Sequence, residues 1–233
     1  MKILFLIVAR GNSKGIKKKN LSIIDGKSLI ALKIIAASKS KYCSEIIIST
    51  DNEEIAKVSE EYGAEIPIFR SKELAGDHIL DLPVFEHMLT YLKEEENYEP
   101  EIVVHLRPTS PYREPKWIDS AINLLVENPS ADSVRSVSEP SQHPYRVFEI
   151  KNKYLHPLMN ERHPEPYLLR RQDLPKMYYY NCVIDVTKPS TIFNKKSMTG
   201  DKMLPYIMKR EDSIDIDTPM DLEFAKVFLK GRL

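Results

Sequence analysis

The sequence predicts an α/β fold, a Rossmann-like three-layer sandwich with a mostly parallel sheet and a lobe inserted in its second half. Three observations carry that expectation. Short apolar runs alternate with stretches of helical period over roughly the first 140 residues, the pattern of βαβ units. The chain opens on an apolar run, Ile3 to Ala9, that is too short to span a membrane and is followed by Arg10, Lys14, Lys17, Lys18 and Lys19 without a cleavage-site pattern, so it is expected as a buried first strand. From about Glu139 to Tyr180 the texture changes to six prolines, three histidines and clustered arginines, which argues for a protruding hairpin or lobe, because proline is excluded from central strands.

In chain order, the expected strands are Ile3 to Ala9, Glu45 to Ser49, Glu65 to Phe69, Ile102 to Leu106 and Ser133 to Val137. Between them, Leu29 to Ala37, Glu53 to Tyr62, Pro83 to Lys93 and Trp117 to Val126 have helical spacing. Their ends carry signals: Asp51 followed by Glu54 fits a capping arrangement, Gly63 suits a helix end, and Pro115 suits a first helical turn. After the Pro-rich stretch, Asn181 to Val186 is apolar enough to rejoin the sheet, Pro205 to Met208 can add a strand, and Pro219 to Leu229 forms a last helix capped by Thr218.

Length and composition fit one domain carrying a lobe: 233 residues, 42% hydrophobic and 29% charged, enough chain to bury a continuous core without staples. Lys plus Arg equals Asp plus Glu, 34 each, so the average surface gives no electrostatic case for a nucleic-acid or membrane partner, and any basic site is local. Cys43 and Cys182 stand at no metal or redox spacing and are expected as free thiols of a cytoplasmic protein. The histidines, too, have no metal-ligand spacing.

Two constellations carry chemistry. The first is the turn Ala9-Arg10-Gly11-Asn12-Ser13-Lys14-Gly15-Ile16-Lys17-Lys18-Lys19-Asn20, at the carboxyl end of the first strand, where an open α/β sheet binds its ligand. Its glycines allow tight turns, its backbone N–H groups can cradle phosphate oxygens, and Arg10, Lys14 and Lys19 suit the charge of a triphosphate. It is not a Walker loop, since the GxxxxGK[ST] spacing is absent. The second is Ser213-Ile214-Asp215-Ile216-Asp217-Thr218-Pro219. In an extended segment Asp215 and Asp217 project to one side and can face one cation, and magnesium accepts one or two carboxylates beside substrate phosphates and water.

These residues resemble the acylneuraminate cytidylyltransferases, the CMP-sialic acid synthetases. The first segment is similar to their [IL]-x-A-R-x-x-S-K-G-[IL]-x-x-K-N signature, and the second to their SxDID segment. Further likenesses are Ile48-Ser49-Thr50-Asp51, Phe69-Arg70-Ser71-Lys72-Glu73-Leu74-Ala75-Gly76-Asp77, Arg107-Pro108-Thr109-Ser110-Pro111-Tyr112-Arg113, Gln142-His143-Pro144-Tyr145-Arg146 and Arg171-Gln172-Asp173-Leu174-Pro175. The resemblance implies a single nucleotidyltransferase domain over residues 1–233 that couples CTP to an acidic 2-keto-3-deoxy sugar with Mg2+. It implies a homodimer in which the lobe of about 139–180 reaches the neighbouring subunit. By motif position, Arg10 and Lys19 are the expected catalytic cations. Ala9, Arg10, Gly11, Ser13, Lys14, Lys19, Asn20 and Arg70 are expected at the nucleotide. Arg107, Thr109, Ser110, Arg146, Arg171 and Asn181 are expected at the sugar, and Asp215 and Asp217 at the metal. Three departures fall near the sugar: Arg107 stands where sialic acid enzymes commonly carry glutamine, Asn181-Cys182 replaces a common Asn-Gly, and Asp185 stands where relatives can carry an aromatic residue. They leave legionaminate, pseudaminate or octulosonate types as alternatives, beside a nucleotide-binding subunit without catalysis.

Overall fold

In the computed structural model, which describes residues 1–160 and 163–232, the first apolar run forms strand β1 (Ile3–Val8). It is flanked on one side by β4 (Glu45–Ser49) and on the other by β5 (Ile102–His105), both parallel to it. Between β1 and β4 lie the two-residue strands β2 (Ile23–Ile24) and β3 (Lys27–Ser28), paired across Asp25 and Gly26, both at positive φ as a tight hairpin turn requires. The other strands are β6 (Ser133–Ser138), β7 (Phe148–Lys151), β8 (Tyr154–Pro157), β9 (Tyr179–Thr187) and β10 (Met203–Ile207). The central sheet has the order β10-β6-β9-β5-β1-β4, and only β9 runs against the rest.

Helices α1 (Leu29–Ser38), α2 (Glu53–Glu61), α3 (Asp81–Glu95), α4 (Pro115–Val126), α5 (Pro189–Lys195) and α6 (Pro219–Phe228) complete the layers. Alternate side chains of β1 face opposite sides of the sheet. Ile3, Phe5 and Ile7 pack with α1, α2 and α4, whereas Leu4 and Leu6 pack with Phe85, Met88 and Leu92 of α3. A third apolar group, with Leu29, Leu32, Ile216, Ala225 and Leu229, fastens α6 over α1. Thr218 caps α6 through a reciprocal capping box with Asp221.

The structure corrects three local expectations. Glu65 to Phe69 is not a strand: Glu65 makes one isolated bridge to Ile47, and Pro67, two residues on, has no N–H to continue a ladder. The cap of α2 is Asn52, whose carbonyl oxygen accepts from the Ile55 N–H at 3.0 Å, not Asp51. Helix α3 starts at Asp81 rather than Pro83, with the proline inside its first turn, where its missing N–H costs no helical bond. In the Pro-rich stretch, β7 and β8 form an antiparallel hairpin with Ile150, Tyr154 and Leu155 exposed, beside three single turns of 3-10 helix. Residues 161 and 162 of the expected lobe lie outside the described residues.

Lys33 is the anomaly of the core. It lies on α1, fully buried, and its Nζ has no hydrogen-bond partner. Burial, and secondarily the charge of Arg113, push its pKa well below the ordinary lysine value of 10.5. The folded chain therefore binds fewer protons than the unfolded chain between the depressed and the ordinary value, and stability rises with pH through that window. Lys33→Met should raise the unfolding free energy at pH 7 by about 1–3 kcal/mol and flatten this pH dependence. Urea titrations at pH 7 and pH 9 check it; a variant less stable than the parent at pH 7 contradicts it.

Candidate active-site cleft

The basic turn is closed by its own residues. Asn20 is buried, and its Nδ2 donates to the Arg10 carbonyl at 2.9 Å, tying the end of the turn to its start. The Gly11 N–H donates to the Asp51 carboxylate at 2.8 Å, so Asp51 anchors the turn to the end of β4. A side chain on Gly11 would meet Asn52 Cβ at 2.8 Å, which requires glycine for that close approach. Lys18 takes a left-handed conformation, φ 51°, just before the single 3-10 turn Lys19–Leu21.

Lys19 then crosses to the far end of the chain. Its Nζ donates to the Ile216 carbonyl at 2.9 Å and to Asp217 Oδ1 at 3.1 Å. Ile216 in turn donates its N–H to the Thr109 carbonyl at 2.9 Å, and Gly15 lies against the Asp217 carbonyl. Three segments distant in sequence are thus bound edge to edge at the carboxyl ends of the parallel strands. In Ile214 to Asp217 the alternation is kept, with Ile216 buried and Asp215 and Asp217 exposed on either side of it, while Ser213 is buried.

Between these segments is a cleft of about 420 Å³. Arg10, Lys14, Lys19, Arg70 and Arg107 line it, five cations against the three carboxylates of Asp77, Asp81 and Asp217. That surplus suits a polyanion. Arg10 Nη1 meets Asp77 Oδ1 at 2.8 Å and Lys14 Nζ meets Asp77 Oδ2 at 3.1 Å; the Lys14 hydrogen bond, with the charges of Lys14 and Arg10, holds the Asp77 carboxyl below its usual range. Arg70 is buried, with its Nε donating to Ser49 Oγ at 3.1 Å and its Nη2 to the Ser49 carbonyl. Burial lowers its pKa from the ordinary arginine value, with the charges of Asp51 and Asp81 opposing the shift.

A second arm of about 590 Å³ opens beside the first and shares Asp81, His105 and Arg107 with it. Arg107 is ion-paired with Asp81. Burial opposes its charge, but Asp81, then Tyr180 and Asp185, hold its pKa above the ordinary arginine value. The next arginine of the same segment, Arg113, is structural: it is buried, donates to the Val183 and Arg107 carbonyls, and burial pushes its pKa down to about 9.

The expected residues divide accordingly. Arg10, Ser13, Lys14, Lys19, Asn20, Arg70, Arg107, Thr109 and Asp217 all line the cleft. Ala9 and Gly11 do not: the Ala9 side chain is in the core, and the Gly11 N–H is taken by the Asp51 carboxylate. Ser110 and Asn181, expected at the sugar, are turned inward: Ser110 is fully buried, and the Asn181 amide accepts from Ser136 Oγ at 2.6 Å and donates to Ser213 Oγ at 2.8 Å, bracing β9 against the aspartate segment. Arg146 and Arg171 lie together in a separate cleft of the Pro-rich stretch, about 410 Å³, with His143, Lys176 and Arg210. Asp215 lines a different hollow beside Tyr179 and Phe224. Sequence reasoning did not single out Asp77, Asp81 or Arg135; only Asp77 had a signal, as the last residue of the Phe69 to Asp77 likeness.

For a divalent cation, the donor set is hard oxygen and sparse. Among the described residues no group of three or more His, Cys, Asp or Glu side chains is gathered. An exposed Asp217 carboxylate on the cleft wall fits magnesium, which takes few protein ligands when phosphates and water supply the others, whereas Asp215 lines the adjoining hollow and not the cleft.

A family model described as cytidylyltransferase matches residues 4–200. The chain is 33% identical to the CMP-N,N'-diacetyllegionaminic acid synthase of Legionella pneumophila, over 95% of this chain and 93% of that one. It is 31% identical to a pseudaminic acid cytidylyltransferase of Campylobacter jejuni, over 99% and 97%. Among solved structures, CMP:2-keto-3-deoxy-manno-octonic acid synthetase complexed with CTP superposes over the whole of both chains with a TM-score of 0.73 at 16% identity, a likeness of fold. With a basic turn and an aspartate segment meeting across one cleft, and with relatives of this kind aligned along nearly its full length, the chain belongs to the cytidylyltransferase family.

Proposed function

We propose that the chain transfers the cytidylyl group of CTP to the anomeric hydroxyl of an acidic 2-keto-3-deoxy sugar, a nonulosonate of the sialic, legionaminic or pseudaminic type, with release of pyrophosphate. The observation that carries this reading is the meeting of Lys19 with Asp217 in a cleft that also presents Arg10 and Lys14. Relatives named for legionaminic, pseudaminic and N-acylneuraminic acids support the sugar class.

The chemistry is an in-line displacement: the C2 oxygen bonds to the α-phosphorus, the bond to the β-phosphate oxygen breaks, and the hydroxyl proton leaves to water. Such transfers depend on positioning and charge neutralisation more than on a strong base. Arg10 and Lys14 exchange Asp77 for phosphate oxygens, Arg10 being able to hold two at once. Lys19, fixed by the Ile216 carbonyl, holds its ammonium against the negative charge that grows on the leaving pyrophosphate. Arg70 and Asn20 shape the cytidine side of the cleft. Asp217, and Asp215 from the adjoining hollow, would hold magnesium, which would supply neutralisation of phosphate charge and a more acidic attacking hydroxyl.

The Pro-rich stretch is read as the contact of a homodimer. Its exposed Ile150, Tyr154 and Leu155 are apolar surface of the kind that marks interfaces, and Arg146 and Arg171 offer charge to the acidic sugar of a neighbouring subunit. Among the described residues no helix is long and apolar enough to cross a membrane; with two free thiols, half-buried, a cytoplasmic enzyme is the reading that fits.

The test is pyrophosphate release with CTP, magnesium and a panel of acidic 2-keto-3-deoxy sugars. CTP-dependent turnover of at least one nonulosonate is expected. Tight CTP binding in calorimetry without turnover of any sugar would instead make the chain a non-catalytic nucleotide-binding subunit.

A further inference from the structure

The cleft and its second arm meet at a short wall. Asp81, His105 and Arg107 line both, whereas Arg10, Lys14, Lys19 and Asp217 line the cleft alone. With a nucleoside triphosphate on the basic turn and a sugar in the adjoining arm, the α-phosphorus and the attacking oxygen must meet where the two compartments join. The basic turn is then at the leaving pyrophosphate, and the shared wall is beside the α-phosphorus.

Of the three shared residues, only Arg107 can bring positive charge to that point. His105 is buried, and burial with the charges of Arg107, Arg135 and Arg113 hold it well below its usual pKa, so it is neutral. Asp81 is an anion and repels phosphate. Arg107 is charged and only partly engaged. Its Nη2 donates to Asp81, its Nε is 3.9 Å from Asp185, and its Nη1 makes no hydrogen bond among the described residues.

The arginine is fixed from behind. Its carbonyl accepts from Arg113 Nη2 at 2.9 Å, and the Arg113 Nε grips the Val183 carbonyl of β9. Two residues on, the Thr109 carbonyl accepts from the Ile216 N–H, so the backbone that carries Arg107 is tied to the segment that carries Asp217. Asp185 is 1% exposed and held by Arg135 Nη1 at 2.9 Å and by the Tyr180 hydroxyl, which keeps this counter-ion in place. Asp81, at the start of α3, is partly exposed and free to let go. It stands to Arg107 as Asp77 stands to Arg10, a carboxylate where a phosphate oxygen can bind.

The geometry points to Arg107 as a further catalytic residue, its guanidinium exchanging Asp81 for a non-bridging oxygen of the α-phosphate as the C2 oxygen bonds to phosphorus. The bond from the α-phosphorus to the β-phosphate oxygen breaks with its electron pair going to pyrophosphate, and the hydroxyl proton leaves to water. Arg107 keeps all its protons and stabilises the charge on the non-bridging oxygens. The inference rests on the cytidylyl-transfer reading above. It moves Arg107 from the sugar, where its motif position puts it, to the reacting atoms.

The test uses the wild type, Arg107→Gln and Arg107→Lys with a nonulosonate that the wild type consumes, CTP, and the two diastereomers of CTP bearing sulfur at one non-bridging α-oxygen. Arg107→Gln, which keeps a donor but no charge, should lower kcat about 30-fold and change each KM by less than about threefold. For one diastereomer the penalty of sulfur should shrink about fivefold in this variant, because the bond that sulfur weakens is already lost. Arg107→Lys keeps a cation beside Asp81 and should turn over several-fold faster than Arg107→Gln. If Arg107→Gln does not fold, Arg107→Lys decides the matter by a changed sulfur penalty for that same diastereomer. A wild-type kcat in folded Arg107→Gln, a loss confined to the KM for the sugar, or sulfur penalties equal in every folded enzyme overturns the proposal while leaving cytidylyl transfer intact. A wild type that consumes CTP with no nonulosonate removes the parent reading itself.

Discussion

Lys19→Ala lowers kcat for pyrophosphate release by about 100- to 1,000-fold, the cost of removing one fixed donor from charge that develops in a transition state. The effect is large because Lys19 is placed by contacts that do not depend on the nucleotide. Its Nζ is held by the Ile216 carbonyl at 2.9 Å, its side chain is 13% exposed, and its neighbour Asn20 is locked to Arg10. The ammonium is thus pre-oriented and needs no reorganisation during reaction. Stability should fall by only about 1 kcal/mol, the net worth of the hydrogen bonds lost, because the charge is at a cleft rim with water on one side. Steady-state kinetics with thermal melting separates the two quantities. A wild-type kcat in the folded variant would contradict the assignment of Lys19.

Gly15→Ala should have the second-largest effect, although it adds one methyl group and removes no charge. A Cβ there would stand 2.3 Å from the Asp217 carbonyl oxygen, which is backbone and cannot swing aside. The basic turn and the aspartate segment must move apart by an ångström or so. Displacement on that scale costs about 100-fold in turnover when reacting groups are positioned by the protein. It should also lengthen the Lys19 to Asp217 contact. The measurement is kcat/KM for CTP alongside a melt; a folded Gly15→Ala enzyme with parental activity would show that the two segments need not touch.

Much of the site is legible in the sequence because its chemistry is local. Arg10, Lys14, Lys19 and Asn20 lie within one turn after a strand that its apolar run announces, and Asp217 precedes a helix marked by Thr218-Pro219. Strand β1 and helices α1, α2 and α4 follow from periodicity for the same reason. What was not legible depends on groups brought together from afar. Asp51 looks like a helix cap in sequence, but its carboxylate serves a backbone N–H forty residues earlier, and adjacent Asn52 takes the cap. Asn181 sits in a motif associated with the sugar, yet it bridges Ser136 and Ser213, which no spacing rule connects. Glu65 to Phe69 has the composition of a strand, and one proline next to an edge prevents it. The cluster of Arg107, Arg135 and Asp185 requires the antiparallel insertion of β9 between β5 and β6, a register that only the folded sheet specifies.

The convergence of the two ends of the chain on one triphosphate is tested most directly by a double-mutant cycle of Lys19→Ala and Asp217→Asn, read as kcat/KM for CTP. Groups 3.1 Å apart that act on the same phosphates should be coupled by about 1 kcal/mol or more, so that the double variant loses much less than the product of the two single losses. Losses that multiply, with coupling below about 0.3 kcal/mol, would mean that the two residues serve separate sites.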